Sequence, residues 1–311
     1  MGRGVAIVKK VIGIDLGGTK ISGGIVDEKG RILTLLRRDT EAEKGRQVVL
    51  KNLSKVIEEL MEMDKVDVIG IGSPGTVDVK EGRVLSIGGN ISGWAYTNIR
   101  GELSKKFNLP IFVENDANAA ALCEGWIGVG KNLDSFVMIT LGTGVGGSIY
   151  SKKNGIWHGK NYQGAELGHA ILYPEGRKCS CGQRGCAEQY ISGSSLERSY
   201  YERAGKGLRA LDVFINYNYD KYAREVVDSF IKYLGTFLIT IKNLLDPDGI
   251  IIGGGVINSK EYWWDKVVEY YNSNCNNPTG TKILQAKYLN DAGVIGAAKV
   301  ALDGVLLDLK Y

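Results

Sequence analysis

Long apolar runs are missing from this 311-residue chain, and none reaches the length of a membrane-spanning helix. Basic blocks are missing too. The 39 Lys and Arg residues stand against 35 Asp and Glu, and the net charge of +4 is spread along the sequence. That leaves no charged face for nucleic acid or anionic lipid, so neither is an expected partner. No G-x-x-x-x-G-K-[ST] stretch occurs, which excludes a P-loop nucleoside triphosphatase at the motif level. The opening MGRGVAIVKKVIGIDLGG carries Arg3, Lys9 and Lys10, but Asp15 breaks its apolar stretch ahead of a glycine turn. It is unlike a cleavable signal peptide, so the expected location is cytoplasmic and reducing. Proline is scarce, 5 residues against 43 glycines, so glycine punctuates the chain.

Cysteine and histidine number only 5 and 2, yet His169, Cys179, Cys181 and Cys186 fall within one stretch, GAELGHAILYPEGRKCSCGQRGCA. Three thiols and an imidazole suffice for a tetrahedral structural zinc. Gly182 and Gly185 supply permissive backbone between the thiols. The spacing is not a common zinc-finger pattern, and Glu166 and Glu188 flank the ligands, as they would near an active site. A disulfide pair is the alternative, disfavoured by a reducing compartment. Cys123 and Cys275 lie apart and read as small buried hydrophobes.

Hydrophobic content of 44% and charged content of 24% are ordinary for a globular enzyme, and the length fits two domains. Val11 to Asp27 reads as strand, glycine turn, strand, and Lys29 to Arg38 as a third strand. Helical spacing follows over Arg46–Met63, with Val49, Leu53, Val56, Ile57 and Leu60 on one face. Val66–Gly72 and Pro110–Glu114 read as further strands, which makes a mixed sheet. The same opening recurs at Ser135–Ser151. Aligning Asp15-Leu16-Gly17 with Thr140-Leu141-Gly142 gives an offset of 125 residues. Then come a helix at Tyr222–Leu245, a strand from Gly249, a helix near Tyr262–Tyr271, a strand from Ile283 and a last helix from Gly293. Two halves in one order point to a duplicated α/β fold with a cleft between two lobes. The expected small lobe is 1–116 plus 293–311. The expected large lobe is 117–292, with the zinc segment at 164–190.

GTGVGG (Gly142–Gly147) and GIGSPG (Gly70–Gly75) both satisfy G-x-G-x-x-G. A dinucleotide turn must open a helix, whereas the first runs into a strand and the second contains Pro74. Phosphate can instead be held by the amides of glycine hairpins. Gly17, Gly18 and Thr19 would form one jaw and Gly142, Thr143 and Gly144 the other; an ordinary tight hairpin is the alternative for each. Asp15 would hold Mg²⁺ through water and Lys20 would neutralise phosphate. Gly253, Gly254 and Gly255, after Ile250–Ile252, would let an adenine ring lie flat; a plain strand-to-helix turn is the alternative. Asp116, in FVENDANAAALCEGW, is the candidate base at a strand–helix junction. Helix capping by Asn115, Asp116 or Asn118 competes with that reading.

The motifs DLGGTK from Asp15, ENDANAAA from Glu114, LGTGVGG from Leu141, ELGH from Glu166, CSCGQRGCAEQYISG from Cys179 and NDAGVIGAA from Asn290 together resemble the ROK sugar kinases (repressor, open reading frame, kinase), their bacterial glucokinases above all. The resemblance spans residues 11 to 302. It implies an actin-like, ribonuclease H-like, hexokinase-type fold that transfers phosphate from Mg·ATP to a hexose, glucose first. It also implies Asp116 as base and Gly75, Asn90, Asn115, Glu166, His169 and Glu188 as sugar-binding residues. His169 would serve both zinc and sugar, and the zinc would be structural. A homo-oligomer, dimer or tetramer, is implied as well. Fructose, mannose, allose or an N-acetylhexosamine are alternative acceptors. A sugar-sensing repressor of this kind would need a helix-turn-helix before its first strand, which here begins near Val11. An actin-like ATPase would leave Asp116, Glu188 and the zinc set unexplained. The tail from Gly304, GVLLDLKY, has no assigned role and is expected to be a surface-packed extension.

Overall fold

The structure, a computed structural model, describes residues 9–86 and 91–308. The chain divides into two compact units: Met1–Lys131, His158–Gly164 and Asn290–Tyr311 form the first, Asn132–Trp157 and Ala165–Leu289 the second.

In the first unit, β1 (Lys10–Leu16), β2 (Lys20–Asp27) and β3 (Ile32–Asp39) form an antiparallel meander. Helix α1 (Arg46–Met63) follows. Its Val49, Leu53, Val56, Ile57 and Leu60, one face at helical spacing, are all fully buried, as the sequence pattern requires. Burying each is worth about 1.5–3 kcal/mol against leaving it exposed. Next come β4 (Ile69–Ser73), the hairpin β5 (Thr76–Asp78) and β6 (Arg83–Ser86), α2 (Ile99–Ser104), β7 (Ile111–Asn115) and α3 (Asp116–Trp126). The sheet order is β3-β2-β1-β4-β7, with β1, β4 and β7 parallel.

The second unit repeats the scheme. β8 (Ser135–Leu141), β9 (Val145–Ser151) and β10 (Gly155–Ile156) form the meander. The helices α4 (Glu188–Ile191), α5 (Gly193–Ala204), α6 (Ala210–Ile215) and α7 (Lys221–Leu245) precede β11 (Gly249–Gly253), α8 (Trp264–Asn274) and β12 (Lys282–Gln285). The order β10-β9-β8-β11-β12 matches the first sheet strand for strand. Its core joins Val137, Ile139, Ile250 and Ile252 to Phe230, Leu234 and Trp263.

The last helix, α9 (Ala292–Asp308), returns to the first unit. It lies on β1 and β4 at backbone distance, because Gly70 offers no side chain: a Cβ there would fall 1.8 Å from the Ala297 carbonyl oxygen. Gly296 does the same for α3, where a Cβ would fall 1.7 Å from the Ala119 oxygen. This glycine contact ties α3 to the first unit, so that unit runs to Lys131 rather than ending at 116. The start of the tail is packed. Residues 304–308 complete α9, and Gly304 is buried against the Phe112 ring. Among the described residues, no helix is long and apolar enough to cross a membrane.

Candidate active site

In the first unit the parallel strands β1, β4 and β7 end side by side, with Asp15 opposite Gly72 and Gly72 opposite Glu114. Open α/β sheets place ligands at such carboxyl ends. Asn115 closes β7 and caps α3: its side-chain oxygen accepts from Ala117 N at 2.9 Å and Asn118 N at 3.1 Å. Its amide donates to the Gly75 oxygen and to Asp116 Oδ1, both at 3.0 Å. Capping therefore falls mainly to Asn115. Asp116 sits in the first turn, where the helix dipole favours a carboxylate, and its Oδ1 also accepts from Ala117 N at 2.8 Å. Gly75 has φ +93°, and its carbonyl holds the Asn115 amide.

Burial first, and the Asp116 carboxylate second, raise Asp15 to about 7. Oxygen ligands on a carboxylate that is costly to ionise alone suit a hard cation, so Asp15 fits a Mg²⁺ role. The turn after Asp15 is pinned from below. Gly17 N donates to the Lys20 oxygen at 2.9 Å, while Thr40 donates from Oγ1 to the Gly17 oxygen at 2.7 Å and from N to the Thr19 oxygen at 2.9 Å. Gly18, Thr19 and Lys20 are exposed. Lys20 lines an open groove of about 710 Å³ with Arg37, Arg38, Asp39, Glu41 and Lys55 among its walls.

In the second unit, Gly142, Thr143 and Gly144 join antiparallel β8 and β9, so GTGVGG opens a strand and not a helix. None of Gly17, Gly18, Gly142 or Gly144 has a left-handed φ. A Cβ on Gly142 would meet nothing within 4 Å, so that face of the turn is open space. Gly193 N, opening α5, donates to the Gly142 oxygen at 2.7 Å. Gly254, with φ +86°, packs its Cα against Leu141, where a Cβ would lie 2.4 Å from the carbonyl oxygen. Gly255 faces open space, and Gly253 ends the buried strand β11. The glycine turn, the start of α5 and Gly254–Gly255 thus gather around the end of β8.

Glu166 is exposed and precedes a short 3-10 turn, Leu167–His169, which places His169 one turn after it. Glu188 opens α4, and its Oε2 accepts from Val145 N at 3.1 Å; a Cβ on Gly144 would lie 2.3 Å from that oxygen. The Glu188 carboxylate therefore braces the glycine turn.

The ligand atoms of His169, Cys179, Cys181 and Cys186 all lie within 4.8 Å of one another. Cys179 Sγ is 3.7 Å from His169 Nδ1, and Cys181 Sγ is 3.6 Å from Cys186 Sγ. A tetrahedron with Zn–S bonds of about 2.3 Å has edges of about 3.8 Å, which these two separations match, so the donor set fits a zinc ion. No cysteine is in a disulfide, and Cys123 and Cys275 are buried. Gly182 and Gly185 have φ +94° and +78°, as a tight knuckle needs, and a Cβ at Gly185 would lie 1.8 Å from the Tyr173 oxygen. Burial raises Cys186 to about 12. Burial also opposes ionisation of Cys181, but hydrogen bonds from Gln183 and the neighbouring thiols bring it down to about 7. Nδ1 faces the thiols, which leaves the other imidazole nitrogen for a different partner.

The structure brings Asp15, Gly75, Asn115 and Asp116 together in the first unit and groups His169, Cys179, Cys181 and Cys186, as well as Glu188 and the glycine turn, in the second. Asn90 lies outside the described residues. Three further residues take part, and of these only Glu114, which opens ENDANAAA, lies in one of the motifs. Thr40 locks the first glycine turn. Glu114, buried, accepts from Asn115 N at 2.8 Å and Asn118 Nδ2 at 3.0 Å, and its other oxygen meets His158 Nε2 at 2.7 Å. The one sequence signal for His158 is rarity, since it is one of two histidines.

Comparison with known proteins adds to this geometry. The model of the ROK family matches residues 11–303. A glucokinase of Thermotoga maritima is 33% identical over 312 residues, covering 94% of this chain and 96% of that protein. A ROK hexokinase structure from Thermus thermophilus superposes with TM-score 0.85 at 32% identity, covering 97% of this chain and 99% of that one. A ROK family glucokinase from Streptomyces griseus, in complex with glucose and AMPPNP, gives TM-score 0.83 at 31% identity, covering 95% and 100%.

Proposed function

Because the chain belongs to the ROK family, we propose that it is an ATP-dependent hexose kinase whose preferred acceptor is glucose, phosphorylated at the 6-hydroxyl. The observation that carries this reading is Asp116. It opens α3 beside Asn115, which does the capping, and it neighbours Asp15 at the ends of parallel strands. Support also comes from the glucokinase relatives and from the Streptomyces griseus structure holding glucose and AMPPNP.

In this mechanism Asp116 accepts the proton of the acceptor hydroxyl as its oxygen bonds to the γ-phosphorus and the bond to the ADP oxygen breaks. Phosphoryl transfer of this kind asks little covalent chemistry of the protein; positioning and charge stabilisation dominate. Gly17, Gly18 and Thr19, with Gly142, Thr143 and Gly144, hold phosphates through backbone amides, and Lys20 adds charge. Gly253, Gly254 and Gly255 take the adenine face. Gly75, Asn90, Asn115, Glu166, His169 and Glu188 satisfy sugar hydroxyls, which need partners once they leave water. Asp15 would hold Mg²⁺, which would supply charge neutralisation on the phosphates. His169, Cys179, Cys181 and Cys186 would hold a structural Zn²⁺, since four protein ligands would leave no open position for substrate. The enzyme works in the cytoplasm, where ATP is made available and thiols stay reduced, as a dimer or tetramer.

A coupled ADP-release assay over glucose, mannose, fructose, allose and N-acetylglucosamine tests the acceptor. The highest kcat/KM is expected with glucose. A higher value with another sugar would move the enzyme to that acceptor, and no turnover with any would remove the kinase reading.

A further inference from the structure

We infer that His158 is a positioning residue for the Asn115–Asp116 segment, acting through Glu114 from a short loop that clamps this part of the first unit at two points. The inference rests on Asp116 being the base.

Glu114 directly precedes the capping residue and the base. Its Oε1 holds the backbone of Asn115 and the side chain of Asn118, one turn into α3. Its Oε2 is engaged by His158 Nε2 at 2.7 Å. A buried carboxylate keeps one orientation only while its partners compensate the loss of water. Without His158, one oxygen of Glu114 is left uncompensated, and the cheapest response is rotation or solvation of the carboxylate. Either response loosens the Asn115 amide and the first turn of α3. Burial alone would lower the His158 pKa, but the Glu114 bond and charge outweigh it and leave it raised. The bond is therefore charge-assisted, and such bonds are the stronger ones.

The second point of the clamp is Tyr162, whose pKa is raised first by burial and then by the Asp78 carboxylate at the end of β5. Asp78 Oδ1 in turn accepts from Lys80 N and Glu81 N, fixing the β5–β6 connection. β6 ends at Ser86, four residues before Asn90 in sequence. Tyr162 is held at φ +58°, a left-handed backbone that non-glycine residues rarely adopt without compensation. Gly164 N donates to the His158 oxygen at 2.8 Å and closes the loop on itself. The His158 and Tyr162 rings meet edge-on at 6.3 Å. Residues 158–164 belong to the first unit although the chain on either side belongs to the second, and Ala165 leads directly into Glu166.

The test compares zinc-loaded wild type with His158→Ala, His158→Gln, Glu114→Gln, Glu114→Gln/His158→Ala and Asp116→Asn. Misplacement of reacting groups by about an ångström can cost ~10²-fold. His158→Ala is therefore expected to lower kcat by roughly 10–100-fold, with the KM for ATP changed less than about twofold. His158→Gln, whose amide donates from the same position, should recover most of the loss. The double variant should be no slower than Glu114→Gln, since both act through one contact. If His158→Ala does not fold, Glu114→Gln carries the same kcat-against-KM test. Wild-type kcat in His158→Ala beside an inactive Asp116→Asn would overturn the positioning role and leave the base in place. So would a kcat loss matched by an equal loss of folded protein. An active Asp116→Asn would overturn the base and the positioning role together.

Discussion

The two units share one strand order and diverge where the chemistry lies. β1 starts at Lys10 and β8 at Ser135, an offset of 135 − 10 = 125. Across the turn, Leu16 pairs with Ile21 but Leu141 pairs with Val145, so the offset drops to 145 − 21 = 124. The second turn is one residue tighter, and the pair Thr19 and Thr143 follows the shorter offset. At the strand ends, Asp15 stands in one unit and Thr140 in the other. The first unit gathers carboxylates at the ends of its parallel strands; the second inserts the His169–Cys186 knuckle between its meander and α5. A duplicated frame thus fixes where a glycine turn sits, and the flanking residues and insertions decide what it serves.

Four variants or conditions sharpen that division. Asp116→Asn keeps size and capping partners but removes the base. Turnover should fall roughly 10²–10⁴-fold while glucose affinity by calorimetry stays near wild type. Retained turnover would reduce Asp116 to a first-turn helix residue and leave the first unit without its chemistry. Cys181→Ala should drop zinc from one per chain to near zero by elemental analysis, with turnover falling ~10²-fold through misplaced neighbours. Circular dichroism should show the sheets intact, because none of the four His and Cys residues belongs to their core clusters. Full activity without zinc would make the knuckle dispensable.

Gly142→Val adds a side chain where nothing lies within 4 Å, so the fold should tolerate it while the KM for ATP rises about tenfold or more and glucose binding survives. Lost sugar affinity with intact nucleotide binding would reverse the roles given to the turns. The smallest effect concerns pH. Asp15 is raised from 3.8 to about 7, so it is protonated below that value. Ionisation of the metal-free protein costs stability that grows as pH rises from about 4 to 7. Mg²⁺ must compete with the proton, and its half-saturating concentration should rise up to about tenfold per unit as pH falls below 7. Asp15→Asn should abolish that dependence; a flat profile in wild type would remove Asp15 from the metal.

Much of this division was legible in the sequence, for identifiable reasons. The face of α1 repeats at helical spacing, and the four grouped His and Cys residues concentrate rare residue types within eighteen positions, His169 to Cys186. Asp116 stood out by its place at a strand–helix junction. The hairpin β5–β6 did not, since strands of three and four residues are too short for a period to show. Glycine is ambiguous in the same way: Gly185 needs its φ, Gly70 its missing side chain, and Gly142 the space in front of it. His158 and Glu114 lie 44 residues apart, and only folding joins them.

The most direct measurement is product stoichiometry with the zinc-loaded protein, Mg·ATP and glucose, following ADP and sugar phosphate in one sample by phosphorus NMR. One glucose 6-phosphate should form for each ADP, with no ADP release when glucose is omitted. ADP released without a sugar phosphate, or a sugar phosphate formed at another hydroxyl, would contradict the account.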